Sequence, residues 1–300
     1  MVTHVRHAGV TLVELVVALT LFGLVATIML TLLRGQQRFY TGSLEIIDTK
    51  RSTRQAIDLL YGELRAASSA DVYSLSDSSI AFRTMIGASH LCAIDSVRTS
   101  ITLPSTQTTR AAPLSTFLIW PRAGDSVLIF DPGDAAEPDD DRWQPHVLLT
   151  PAGGRVCPPR PFGLAGDARE ANGIAFDVAP PVVTTTAVGA PLRFFRPATY
   201  SLYRGSGATW MLGYSSCPAG ACTARQPLSG PYLPFASGGA GGVSFSYFAA
   251  DGALTGDRAH VARVDVVARA RSVSVLDVGH VRGRRYQDSL AVSIALRNGS

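Results

Sequence analysis

The pattern of apolar and polar positions divides the chain into three zones. From Val10 to Leu33, twenty-four residues, the chain is apolar almost without a break, and between Gly9 and Arg34 the only charged residue is Glu14. At about 1.5 Å per residue that stretch crosses a bilayer core of about 30 Å. The second zone, Gln36 to Ala67, contains no proline and repeats apolar residues at helical spacing. Ile57, Leu60, Tyr61 and Leu64 fall on one face, while Phe39, Leu44, Ile46 and Ile47 carry the pattern less cleanly around Gly35 and Gly42. These two zones predict one long helix whose second half lays an apolar stripe on a globular domain and ends near Ser68, Ser69 and Asp71.

The third zone reads as strands and loops. The segments 79–84, 116–120, 126–130, 174–178, 199–203, 209–212, 243–248, 261–269 and 290–296 alternate or form short apolar runs bounded by Pro and Gly. Few helical patterns intervene, which argues for antiparallel sheet over βαβ units. The fold class predicted is α+β: a long N-terminal helix packed on a globular domain of antiparallel β-sheet. Pro, Gly and Asp crowd residues 132–161, which predicts an exposed insertion there, and Gly238–Gly242 predicts a flexible connection.

Glu14 changes the reading of the first zone. A carboxylate within an apolar helix of membrane length is costly unless partnered, so it points to function. A cleavable secretory signal would have a shorter apolar core followed by a small-residue cleavage site. Instead Arg34-Gly35-Gln36-Gln37-Arg38 follows Leu33. An ordinary anchor explains the length but neither Glu14 nor the glycine just before the run. Lying about one turn inside, Glu14 could also simply reach the interface.

The leader with His4, Arg6 and His7, then Gly9-Val10-Thr11-Leu12-Val13-Glu14, resembles the prepilin processing signature of type IV pilins and of the pseudopilins of type II secretion. The likeness is close over about sixty residues and general beyond. Val10 stands where phenylalanine or methionine is more usual, and Thr31 where many major pilins carry a kinking proline. The resemblance implies a leader at 1–9, cleavage between Gly9 and Val10 by a prepilin peptidase, methylation of Val10, and the motif positions Thr11, Leu12 and Val13. It further implies a membrane segment at 10–33, a continuation of the helix at 34–70 and a globular β-rich domain at 71–300. Glu14 would meet the Val10 amine of a neighbouring subunit, each charge cancelling the other's cost and fixing the stagger between subunits.

Four cysteines occur. No C-x-x-C pair and no histidine at zinc-ligand spacing accompanies them. An even count in an extracytoplasmic domain implies two disulfides. Cys217 and Cys222 close a tight loop with Pro218 and Gly220, and Cys92 pairs with Cys157 by elimination, four buried free thiols being the alternative.

Composition adds little. The formal charge of +4 on 300 residues, with Lys50 the only lysine, is too modest for a nucleic-acid binder. No G-x-S-x-G elbow, H-E-x-x-H or Walker loop is present, so no catalytic residue, cofactor or metal is assigned and no enzyme activity is expected. The acidic cluster Glu137, Asp139, Asp140 and Asp141 lacks the spacing of an EF-hand, and calcium there is the lesser reading beside a solvated loop. Arg282-Gly283-Arg284-Arg285-Tyr286 reads as a solvated hairpin tip before a contact with DNA or anionic lipid.

The sequence thus predicts a minor pilin-like structural subunit, initiating or tipping a type IV pilus. Its partners would be the prepilin peptidase, other pilin or pseudopilin subunits, the inner-membrane assembly platform and the cytoplasmic membrane, with the globular domain extracytoplasmic. The J-type (minor) pseudopilin of a type II secretion system is the alternative. The size of the globular part favours a minor subunit, and the insertion and the disulfides favour the pilus. A membrane-anchored binding domain with no filament role is the reading from a different class.

Overall fold

The computed structural model describes residues 11–104, 115–134, 140–152, 155–158, 171–218, 221–238, 240–279 and 281–297. One helix, α1 (Leu12–Ala66), precedes a series of strands. In order these are β1 (Val72–Leu75), β2 (Ser79–His90), β3 (Ala93–Ile94), β4 (Ser100–Pro104), β5 (Thr116–Phe117), β6 (Ser126–Asp131), β7 (Arg142–Ala152), β8 (Val156–Cys157) and β9 (Ala171–Ala179). There follow β10 (Pro191–Arg204), β11 (Trp210–Ser216), β12 (Gln226–Tyr232), β13 (Val243–Phe248), β14 (Arg263–Arg271), β15 (Leu276–Val278), β16 (Val281–Arg284) and β17 (Gln287–Ala295). The chain forms two compact units: residues 1–51 with 271–288, and residues 52–270 with 289–300.

In the larger unit, Ser52–Ala66 of α1 packs on a large antiparallel sheet, as the α+β pattern predicts. The main path of the sheet runs β13-β14-β12-β11-β10-β6-β7-β9-β4-β3. β10 is its long central strand, pairing with β2 from Pro191 to Ser201, with β6 over Leu192–Phe195 and with β11 over Ala198–Arg204. Two apolar clusters form. The first joins Ala56, Ile57, Leu60 and Leu64 of the helix to residues such as Phe82, Tyr200 and Val266. The second gathers Ile86, Ile101, Ile129, Leu148, Phe176 and Phe194. At about 25 cal/mol per Å² of apolar surface removed from water, each fully buried Leu or Phe contributes about 1.5–3 kcal/mol.

Two expectations are adjusted. Tyr61 leaves the buried stripe and stays exposed, its hydroxyl accepting from Arg65 Nη1 at 2.7 Å, while Thr53 and Ala56 complete the face. Residues 132–161 are not one excursion from the sheet, for β7 is a full strand between β6 and β9 with His146 and Leu148 buried. β8 pairs with β9 through Val156 and Cys157. Residues 135–139, 153–154 and 159–161 of that segment lie outside the described residues, as does Gly239 of the glycine run.

In the smaller unit, α1 from Leu12 to Arg51 carries the antiparallel hairpin β15–β16. Gly42 is buried against it, and a Cβ there would overlap the Val278 side chain, so the close approach requires glycine. Ser274 N donates to Glu45 Oε2 at 3.0 Å, which fixes the hairpin along the helix.

Candidate functional site

The chemistry singled out by the sequence lies at the start of α1. Gly9 and Val10, with His4, Arg6 and His7, lie outside the described residues. Thr11 is the N-cap. Its Oγ1 accepts from Glu14 N at 3.3 Å, while Glu14 Oε2 accepts from Thr11 N and from Thr11 Oγ1, each at 3.0 Å. This reciprocal arrangement is a capping box. It was visible in the sequence as T-x-x-E, a signal the filament reading of Glu14 passed over. The carboxylate also faces the positive end of the helix dipole, where an anion is stabilised.

From Leu12 and Val13 onward to Leu33 the helix exposes its apolar side chains: Leu12 is 80% exposed, Phe22 73% and Leu32 62%. A surface so continuously apolar calls for lipid or other helices around it. The hydroxyls within it are internally satisfied. Thr20 Oγ1 donates to Val17 O, Thr27 Oγ1 to Gly23 O and Thr31 Oγ1 to Ile28 O at 2.7–2.8 Å, so these three hydroxyls are not left for hydrocarbon to desolvate unpaired. The helix continues without interruption through Thr31, the position of the proline in many major pilins.

The cysteines are joined as Cys92–Cys157, Cα atoms 5.4 Å apart, and Cys217–Cys222, 3.8 Å apart. The first ties the segment after β2 to β8, and the second closes the loop after β11. Apolar helix and disulfides together fit a membrane anchor carrying an extracytoplasmic domain.

Elsewhere, ionisable groups are held as structure. Arg196 Nε and Nη2 donate to the two oxygens of Asp125 at 2.7 and 2.6 Å, and Nη2 also donates to Trp120 O at 3.0 Å. Both partners are buried, and the carboxylate holds Arg196 above the usual arginine range despite burial. His146 is buried with Nδ1 2.7 Å from Pro180 O and Nε2 without a partner among the described residues; the carbonyl oxygen requires the proton on Nδ1, and burial lowers the pKa of the ring. His260 Nδ1 lies 2.7 Å from Asp257 Oδ2 on the surface. Among the described residues no three His, Cys, Asp or Glu side chains converge as a metal site. Glu137 and Asp139 of the acidic cluster lie outside the described residues, and Asp140 Oδ2 accepts from Asp134 N at 2.8 Å.

No curated protein and no solved structure matches the chain. Residues 5–30 match the family described as the prokaryotic N-terminal methylation motif. That stretch runs across Gly9 and Val10, the capping box of Glu14 and most of the exposed apolar helix. The motif implies processing by a prepilin peptidase. In that N-terminal segment the chain is similar to prepilin-type proteins, the pilins and pseudopilins.

Proposed function

We propose that this chain is a minor pilin-like subunit that initiates or tips a type IV pilus. One observation carries the reading: a methylation motif with Glu14 five residues past Gly9 opens a helix that runs unbroken to Ala66. The peptidase would cut between Gly9 and Val10, freeing the Val10 amine. An amine and a carboxylate near the end of an apolar helix are each costly alone and compatible as a pair. Among the described residues, the two hydrogen bonds that the Glu14 carboxylate accepts both go to Oε2, and a carboxylate has acceptor capacity for a neighbour's amine besides. The size of the larger unit supports a minor subunit over the repeated unit of a thin fibre, and its two disulfides favour the pilus.

The test is mass spectrometry of the N-terminal peptide of the protein isolated from its native membrane. A chain beginning at methylated Val10 is expected. An intact leader, or a cut after Leu33, removes the filament reading and leaves an anchored or secreted domain. Deletion then chooses the machine: loss of twitching or DNA uptake is expected, while loss of exoenzyme secretion would assign the chain to a pseudopilus.

A further inference from the structure

Alternation in the central strands places a second chemistry on the larger unit. In β10, Leu192 and Phe194 turn into the core while Arg193, between them, is only partly buried. Register sets Arg193 beside Leu128 of β6, and Leu128 beside Pro145 of β7. Two residues along β7, the Trp143 ring lies under the Arg193 guanidinium, 4.3 Å from carbon to ring centroid. These side chains line a groove of about 530 Å³ completed by Met85, Phe195, Arg83, Asp71 and Arg297.

The charges in this groove do not balance. Arg83 pairs with Asp71 at 2.9 Å, yet its buried Nε–H finds no acceptor among the described residues. Neither Arg193 nor Arg297 has an acidic partner among the described residues. Burial, and next the Arg297 guanidinium, hold Arg193 below the ordinary arginine range, so two like charges face one groove. Like charges at close range oppose folding. The same arrangement is suited to an anion, because arginine presents a planar fork of donors to a carboxylate or phosphate.

The surroundings choose among anions. Bases and sugar rings are gripped by open aromatic faces. Here the Trp143 ring is occupied by Arg193 and by Phe130, 5.5 Å away edge-on. What remains is an apolar floor of Met85, Leu128 and Phe195 beside the cations. We propose that this groove binds an acidic peptide segment of a partner protein, its carboxylates held by Arg193 and Arg297 and its apolar side chains on that floor. This site does not depend on N-terminal processing or on a filament role.

The experiment uses full-length protein in detergent and a fluorescein-labelled heptapeptide with two aspartates set among leucines, read by fluorescence anisotropy. The asparagine counterpart, a short single-stranded oligonucleotide and heparin serve as competitors. The aspartate peptide should bind at least tenfold more tightly than the asparagine peptide. Arg193→Gln and Arg297→Gln should each weaken it at least tenfold, and the surface change Arg204→Gln should not. Because Arg297→Gln relieves a like-charge contact, its melting temperature should equal or exceed that of the unaltered chain, which separates lost binding from lost folding. Equal binding of the two peptides, equal loss in Arg204→Gln, or a lower melting temperature in Arg297→Gln overturns the proposal. Tighter binding of oligonucleotide or heparin at the same arginines also overturns it, in favour of a polyanion site.

Discussion

At the scale of single residues, Glu14 has two jobs that chemistry can separate. Capping needs an oxygen acceptor, which glutamine also supplies, whereas pairing with an amine needs the negative charge. Glu14→Gln should therefore keep the helix start and membrane insertion yet impair incorporation into filaments. Glu14→Ala should lose the pairing and also the half of the cap that the carboxylate supplies, while Thr11 Oγ1 still accepts from the backbone N of residue 14. Pull-down of assembled subunits checks this, and normal incorporation of the glutamine variant would reduce Glu14 to a cap. His146 gives a pH test of the larger unit. Its folded pKa lies below the ordinary 6.5, so the unfolded chain takes up a proton first as pH falls. The contribution of neutral His146 is complete above pH ~6.5 and declines below it, by at most about 1.4 kcal/mol per pH unit for one proton. Chemical denaturation of the full chain in detergent between pH 7.5 and 5 should show that decline, and His146→Gln should flatten it.

At the scale of elements, legibility followed how purely apolar each buried face is. The helix was readable from end to end because its first half is uniformly apolar and its second repeats Ile57, Leu60 and Leu64. Tyr61 misled, since a large ring with a polar tip sits as well at the edge of a stripe as within it. The run 243–248 matches β13, where Val243, Phe245 and Tyr247 are buried in alternation. β7 was not legible: its less exposed positions include Gln144 and His146, so the period of two was written in polar residues, and Pro145 reads as a breaker. Of 116–120 only Thr116 and Phe117 pair, with Ala88 and Gly87 of β2, and the apolar residues beyond them face outward. The arginine groove was illegible for another reason, as Arg83, Arg193 and Arg297 come together only through the sheet. The disulfides join elements over different spans, 65 residues for Cys92–Cys157 and 5 for Cys217–Cys222. By loop-closure entropy the first contributes about 4 kcal/mol and the second about 2. Replacing Cys92 and Cys157 together with serine should lower the denaturation midpoint more than the same change at Cys217 and Cys222. Equal shifts would mean that the unfolded chain is not the loose coil this reasoning assumes.

At the scale of the whole molecule, the chain joins an N-terminal segment that matches the methylation motif to a large sheet unit. The motif at 5–30 was recognisable because a basic leader, a glycine and a membrane-length apolar run with one early carboxylate rarely coincide in that order by chance. The order of the strands was not, since β10 gathers β2 and β6 from distant parts of the chain and short-range patterns carry no record of such crossovers. The bare apolar surface of α1 from Leu12 to Leu33 has a kinetic corollary. A chain held by such a helix meets its partners by diffusing in a plane instead of a volume, and tethering both members of a pair raises their effective concentration. Contacts too feeble to hold two freely dissolved proteins together then suffice, so the surfaces by which this chain recognises its neighbours need not be large or strongly adhesive.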